Sequence, residues 1–378
     1  MSALRVAQVN FLPLPPECEP VEILERWPSL ANIAEAVDSS GTRVSVIQAA
    51  LRPDYLKRNG VDYHFTCIDE PGEPTSGVRR LAGLLHDIKA DVVHVHGLGF
   101  ARQAFAVSQS LPRLPIVFQD HADRPPRWWR RAQWRRWFAV ASGVAFTAPE
   151  LAQPFTSAAM FTPRTRVFAI PESSSRFTRG NRAAARAGTG LHGDPCVLWV
   201  GHLSSGKDPL TVLDGIAQAV SRLPTLQLWC AFGSAPLLAA VQWRIDRDPR
   251  LAGRVHLLGK VSHARVEALM RSADLFVSGS LGESCGYAVL EALACGVTPV
   301  VTDIPAFRAL TADGAYGSLW PCGDAARLAE SLVQATKKRL VPEQVRGHFD
   351  AALSFAAVGR RWADAYEQVL DDREREAS

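Results

Sequence analysis

The sequence predicts an α/β protein of two doubly wound domains, similar in size, that face a cleft. Strand-like and helix-like runs alternate through the whole chain, the pattern of parallel sheets with helices on both faces. The alternation lapses once, across residues 173–193, into the Ser, Arg, Gly, Asn and Ala of a linker. A length of 378 residues also exceeds what one ordinary core supports. The expected domains are therefore 1–172 and 194–355.

In the first domain, short apolar and β-branched runs mark strands at Leu4–Val9, Arg43–Ile47, Val92–Val95, Ile116–Phe118 and Val144–Thr147. Helical spacing of apolar residues fills Leu30–Val37 and Val78–Ile88 between them. The second domain repeats the scheme with strands at Cys196–Val200, Leu226–Ala231, Val255–Leu257, Leu275–Val277 and Thr298–Val301. Helices are expected at 208–221, 263–271 and 286–295. From Ala356 to Leu370, Trp362, Tyr366 and Leu370 fall at helical spacing and give a last amphipathic helix.

Composition narrows the function classes. Apolar content of 47% and charged content of 21% are those of a globular protein, and a net charge of +4 gives no argument for nucleic acid. Seven cysteines are scattered with no CxxC pair, against a disulfide framework or zinc site and for reduced thiols in the cytoplasm. The opening residues enter a strand-like run at once, so no signal peptide is expected, and no stretch is long and apolar enough to span a bilayer.

The most informative segment is Gly282-Glu-Ser-Cys-Gly-Tyr-Ala-Val-Leu-Glu-Ala-Leu-Ala-Cys-Gly296. It follows the buried run Leu275–Val277, so Glu283 lies in the loop at a strand's carboxyl end, where open α/β sheets bind ligands. Glu291 lies within the helix among Val289, Leu290, Ala292 and Leu293. A carboxylate buried there alone is costly, and a hydroxyl-rich ligand would relieve it. The backbone N–H groups near Cys285, Gly286 and Tyr287 open from a helix N-terminus and suit a phosphate. Taken alone, Glu283 is better explained as a helix cap and Glu291 as a side chain that reaches solvent; it is their combination with the motifs below that points to a ligand.

Further constellations bear on the same chemistry. Gly201-His-Leu-Ser-Ser-Gly-Lys207 nearly spells a P-loop, but Asp208 replaces the hydroxyl that would hold magnesium. Lys207 and His202 keep a phosphate role, and Asp208 reads as an N-cap before Pro209. His94 and His96 alternate with valines in a buried strand, whereas His121, beside Asp120 and Asp123, begins a loop at a strand end. Their spacing matches no familiar metal-ligand pattern, so no metal is expected. Asp246-Arg-Asp248 reads as a solvated helix end. Arg127-Trp-Trp-Arg-Arg-Ala-Gln-Trp-Arg-Arg-Trp-Phe138 suits an anionic membrane surface, or equally rings packed on the sheet with arginines reaching water.

In this order the motifs resemble the retaining glycosyltransferases of family 4. The matching segments are Asp91-Val-Val-His-Val-His-Gly97, Phe118-Gln-Asp-His121, Trp199-Val-Gly-His-Leu203 with Gly206-Lys207, Ser272-Ala-Asp-Leu-Phe-Val-Ser278, the segment 282–301 and Pro321-Cys-Gly-Asp324. The resemblance implies the GT-B fold, two Rossmann-like domains with the final helix, 356–378, crossing back to the first. It implies a nucleoside-diphosphate sugar donor, UDP- or GDP-linked, no cofactor and no metal. The acceptor would be a glycan, a lipid-linked saccharide or a small molecule, in cell-envelope or polysaccharide synthesis. By position, Glu283 would hold donor-sugar hydroxyls, Glu291 the ribose, and Lys207 the diphosphate with the amides near Gly286. His121 would sit beside the reacting face of the sugar. A cytoplasmic enzyme, peripheral at the inner face of a membrane through Arg127–Phe138, is the expectation.

The chain departs from that pattern at three places. His202 stands where arginine is common, offering an imidazole whose charge depends on pH. Asn10-Phe-Leu-Pro-Leu-Pro-Pro16 replaces a glycine-rich loop and has few N–H groups to cradle a phosphate. Ala309 takes a position where glutamate is frequent. The competing readings are a nucleotide-sugar epimerase or phosphorylase, a catalytically silent nucleotide-sugar-binding protein, and a P-loop-like nucleotide hydrolase.

Overall fold

The computed structural model of the chain describes residues 3–15, 18–26, 28–68 and 74–377. Pro16 of the first loop and the termini of the expected domains (1, 2 and 378) lie outside the described residues. The chain divides into two units, Met1–Ser173 with Phe355–Ser378, and Ser174–Ser354.

The first unit is built on eight strands: β1 Arg5–Asn10, β2 Arg43–Ala49, β3 Asp54–Arg58, β4 Val61–Thr66, β5 Val92–His96, β6 Ile116–Gln119, β7 Ala141–Phe146 and β8 Arg166–Ala169. Their order is β3-β4-β2-β1-β5-β6-β7-β8, all parallel except the β3–β4 hairpin. The chain winds outward from β1 to one side and from β5 to the other, so the order reverses between β1 and β5. Alternation along β1 sets the two cores: Val6 joins Ala31, Tyr63 and Trp362 on one face, while Ala7 and Val9 join Val93, Phe118 and Phe138 on the other.

The second unit has six parallel strands: β9 Cys196–Gly201, β10 Gln227–Phe232, β11 Val255–Gly259, β12 Leu275–Ser278, β13 Thr298–Thr302 and β14 Ser318–Trp320. The order β11-β10-β9-β12-β13-β14 reverses between β9 and β12. Here Cys196 and Leu198 pack on one face, and Val197 and Trp199 on the other.

Three differences from the sequence reading have physical causes. The hairpin β3–β4 was not anticipated, although Asn59 (φ 49) and Gly60 (φ 91) form the positive-φ pair that a two-residue hairpin needs. Edge strands β8 and β14 carry too few buried residues to show a period.

The expected linker 173–193 is ordered, and all of it after Ser173 belongs to the second unit. Asn181 caps a helix at Arg182–Thr189 that ends on left-handed Gly190. Arg182 and Arg186, one turn apart, both bind buried Asp274, at 3.0 and 2.7 Å. A polar composition therefore hides an element held by ion pairs rather than by an apolar stripe. The final helix, Phe355–Ala377, packs on the helix Pro28–Asp38 of the first unit and buries Trp362, Tyr366 and Val369.

Candidate functional site

In the second unit, a cavity of about 380 Å³ opens at the carboxyl ends of β9, β10 and β12, beside the reversal of strand order. His202, Lys207, Glu283, Gly286, Tyr287 and Glu291 all line it. The polypeptide brings them together through close backbone approaches. Leu281 N–H donates to the Gly206 carbonyl at 2.9 Å, tying the loop after β12 to the loop after β9. A side chain at Gly279 would meet the Asp208 carbonyl at 3.0 Å and Val212 at 2.9 Å, so only glycine lets the loops touch.

The charged groups are engaged with one another. The Lys207 ammonium donates to Glu283 Oε1, which also accepts from the Ser280 hydroxyl at 2.7 Å. Glu283 therefore pairs directly with the cation that the sequence assigned to phosphate. Glu291 Oε1 lies 2.8 Å from His263 Nε2, so it is not the unpartnered carboxylate expected from its apolar neighbours. The hydrogen bond and charge of Glu291 hold the His263 imidazole above its usual range. Ser234 N–H donates to His202 Nδ1 at 3.1 Å. A nitrogen that accepts carries no proton, so His202 is the neutral tautomer with Nε2–H as its donor, not the cation that would replace arginine.

The remaining expected contributors divide. Gly286, at φ 70, precedes the helix Tyr287–Ala294, and no side chain caps that helix start. The Cys285 side chain is buried in the apolar core and is not among the groups lining the cavity. Asp208, left-handed at φ 43, caps the helix Pro209–Ala219 through Thr211 N–H, so it terminates a turn rather than serving a P-loop. Lys260, at the end of β11, also lines the cavity and was missed; Gly259-Lys260 after an apolar strand was the available signal. Asp248 is not a solvated helix end: it is buried, its carboxyl held low chiefly by Arg250 and also by Arg244.

His121 lies in the first unit, on a cavity of about 390 Å³ at the ends of β1, β5 and β6. Its Nδ1 is 2.7 Å from Glu172 Oε1, and its Nε2 is 3.3 Å from His96 Nδ1. His96 Nε2 faces Gln8 Oε1 at 3.4 Å, an oxygen that only accepts. His96 thus bridges Gln8 and His121 in one hydrogen-bonded row that ends on Glu172. Burial alone would lower the His121 pKa, but the Glu172 hydrogen bond and charge, with Asp123 and Asp120, raise it. Glu172, 51 residues away, was not singled out in the sequence.

The basic aromatic segment splits between its two readings. Trp134, Trp137 and Phe138 pack on the core, whereas Trp128 and Trp129 are 75% and 56% exposed. Among the described residues no helix is long and apolar enough to cross a membrane, and no cluster of three or more His, Cys, Asp or Glu could hold a metal.

Two family descriptions match the chain: "Glycosyl transferases group 1" over residues 194–338 and "Glycosyltransferase Family 4" over residues 29–168. The chain is 39% identical to the phosphatidyl-myo-inositol mannosyltransferase of Mycobacterium leprae over 121 residues, 32% of this chain and 31% of that protein. It thus spans less than half the length of the mycobacterial relatives it matches. The D-inositol 3-phosphate glycosyltransferase of Nocardia farcinica is 26% identical over 364 residues, 89% of this chain and 72% of that one. A glycosyltransferase structure from Rickettsia africae shares the fold at a TM-score of 0.73 and 12% identity, covering 98% of this chain and 99% of that chain.

Proposed function

From the premise that the chain belongs to the glycosyltransferases of group 1 and family 4, we propose that it moves a sugar from a nucleoside-diphosphate sugar to an acceptor hydroxyl with retention at the anomeric carbon. The observation that supports this best is the convergence of Lys207, Glu283, Glu291, His202 and an uncapped helix start on one cavity at a strand-order reversal. Donor hydroxyls would take Glu283 and the ribose Glu291, each carboxylate exchanging its present partner for ligand O–H groups. The diphosphate, UDP- or GDP-linked, would draw Lys207 from Glu283 and receive His202 Nε2–H and the helix amides.

In the step proposed, the bond from the anomeric carbon to phosphate oxygen breaks as the acceptor oxygen bonds on the same face. The acceptor proton passes to the departing phosphate. Lysine and helix dipole, not a metal, would carry the leaving charge. Thermal shifts against a panel of UDP- and GDP-sugars test the donor site, since a ligand of the folded state raises stability. At least one sugar should stabilise wild type, and Lys207→Ala and Glu283→Ala should remove that shift. Turnover should survive EDTA and give a product of unchanged anomeric configuration by NMR. No stabilisation by any donor refutes the proposal.

The proposed acceptor is a glycan or lipid-linked saccharide met by a cytoplasmic protein peripheral at the inner face of a membrane. Exposed Trp128 and Trp129 beside Arg127 and Arg130 support that contact. Cosedimentation with phosphatidylglycerol vesicles should be lost in Trp128→Ala with Trp129→Ala and weakened by salt; retention in the double variant refutes this contact.

A further inference from the structure

The cavity of the first unit has chemistry that selects among acceptors. It lies at the reversal between β1 and β5, where the ends of β1, β5 and β6 supply Asn10, His96 and Gln119. Its volume suits one small ring. One wall is apolar, with Leu12, Leu30, Ile33 and Phe100, and Phe100 is backed by Phe11 at 5.6 Å between ring centroids.

The charged side chains of the lining are His121, Asp123 and Glu172. No lysine or arginine lines the cavity among the described residues, and none of the remaining residues of the chain is either. The one lining side chain able to carry a positive charge, His121, is paired with Glu172. Asp123 accepts from Leu98 and Gly99 N–H at 2.8 and 3.1 Å, which spends its oxygens on the turn that carries Phe100. Glu172 Oε2 is buried with no hydrogen-bond partner. A carboxylate oxygen only accepts, so any group that pairs with Glu172 brings a donor.

We propose that this cavity seats an uncharged, hydroxyl-bearing ring as acceptor and rejects a phosphate ester on that ring. A sugar or cyclitol ring offers an apolar C–H face to the Leu12–Phe100 wall and O–H donors to Glu172. A phosphate brings two charges and acceptor oxygens to carboxylates that have no cation to spare, which buried charge does not tolerate. The selectivity separates this chain from its Nocardia relative, whose name specifies a phosphorylated inositol. The assignment of acceptor rests on the transferase reading above; the binding preference does not.

Saturation-transfer NMR on the full chain, with equimolar methyl mannoside and mannose 6-phosphate, or myo-inositol and inositol 3-phosphate, tests it. The neutral member of at least one pair should bind at least ten-fold tighter. Leu12 is half exposed, so Leu12→Arg should fold; by adding a cation to the cavity it should cut that preference several-fold. Tighter or equal binding of the phosphate esters, binding of neither class, or an unchanged preference in Leu12→Arg overturns the inference. Donor thermal shifts run on the same samples report the transferase reading separately: their loss with the ring preference intact sinks that reading and leaves the cavity's selectivity standing.

Discussion

At the residue scale, the first unit stores an acid-sensitive contact in its histidines. Burial pushes the His94 imidazole down to about 3, and burial also drives His96 well below its usual range. Below about pH 6.5 the unfolded chain takes protons on both rings and the folded chain does not, so stability falls with pH by ~1.4 kcal/mol per unit for each proton. Asp120 opposes this: burial raises its carboxyl to about 6, so the fold keeps a proton that the unfolded chain has released. His121, raised by Glu172, acts on the other side, and its contribution is lost as the pH rises through its folded value. Among these four groups one uncompensated proton remains between about pH 4 and 6, and His64, also lowered by burial, adds to it. Urea melts should show stability falling across that interval, and His94→Leu should make the slope shallower by about one proton; an equal slope in the variant refutes the assignment. Local sequence made Glu283 and Lys207 legible, because a strand end followed by a helix start marks a ligand loop. Their present partnership was not legible, since 76 residues separate the two. The same holds for His263 and Glu291, and for Glu172: charge neutralisation across a fold leaves no local pattern.

At the element scale, the helix Phe355–Ala377 reaches the helix Pro28–Asp38 because residue 359 is glycine. A Cβ there would stand 2.2 Å from the Ala36 carbonyl oxygen, far inside contact distance. Gly359→Ala should gain helix propensity yet destabilise by ~1–3 kcal/mol, because overpacking against backbone outweighs the ~1 kcal/mol propensity gain. A melting temperature at or above wild type shows that the helices slide apart freely. Elements with an apolar period, such as β1, β5, β12 and this last helix, were readable from sequence for the reason that packing fixes them. Helix Arg182–Thr189 was not, because Asp274 fixes it through arginines. The β3–β4 hairpin announced itself in the Asn59-Gly60 turn and in the alternation of Val61, Tyr63 and Phe65 along β4, whereas β3 is largely exposed and shows no period.

At the scale of the whole molecule, the chain closes one unit with its last segment and completes the other without it. Ser174–Ser354 is continuous, whereas the first unit needs Phe355–Ser378 to cover Val6, Ala31 and Ala34 with Trp362, Tyr366 and Val369. Removing that helix exposes large aromatic contacts, each worth ~1.5–3 kcal/mol of burial, in a unit whose whole stability is of order 5–15 kcal/mol. A chain ending at Ser354 should therefore lose the first unit's cooperative melt. The proposed donor cavity lies entirely within residues 200–307, so the second unit should keep its response to nucleotide sugar. At one hundred times the dissociation constant that response is ~2.7 kcal/mol, large enough to read in a melt. Calorimetry of the truncated chain should show one transition in place of two, still moved upward by donor, with no transfer to acceptor. If truncation abolishes the donor shift as well, the two units do not hold their stability separately, and the final helix is part of the donor site's foundation.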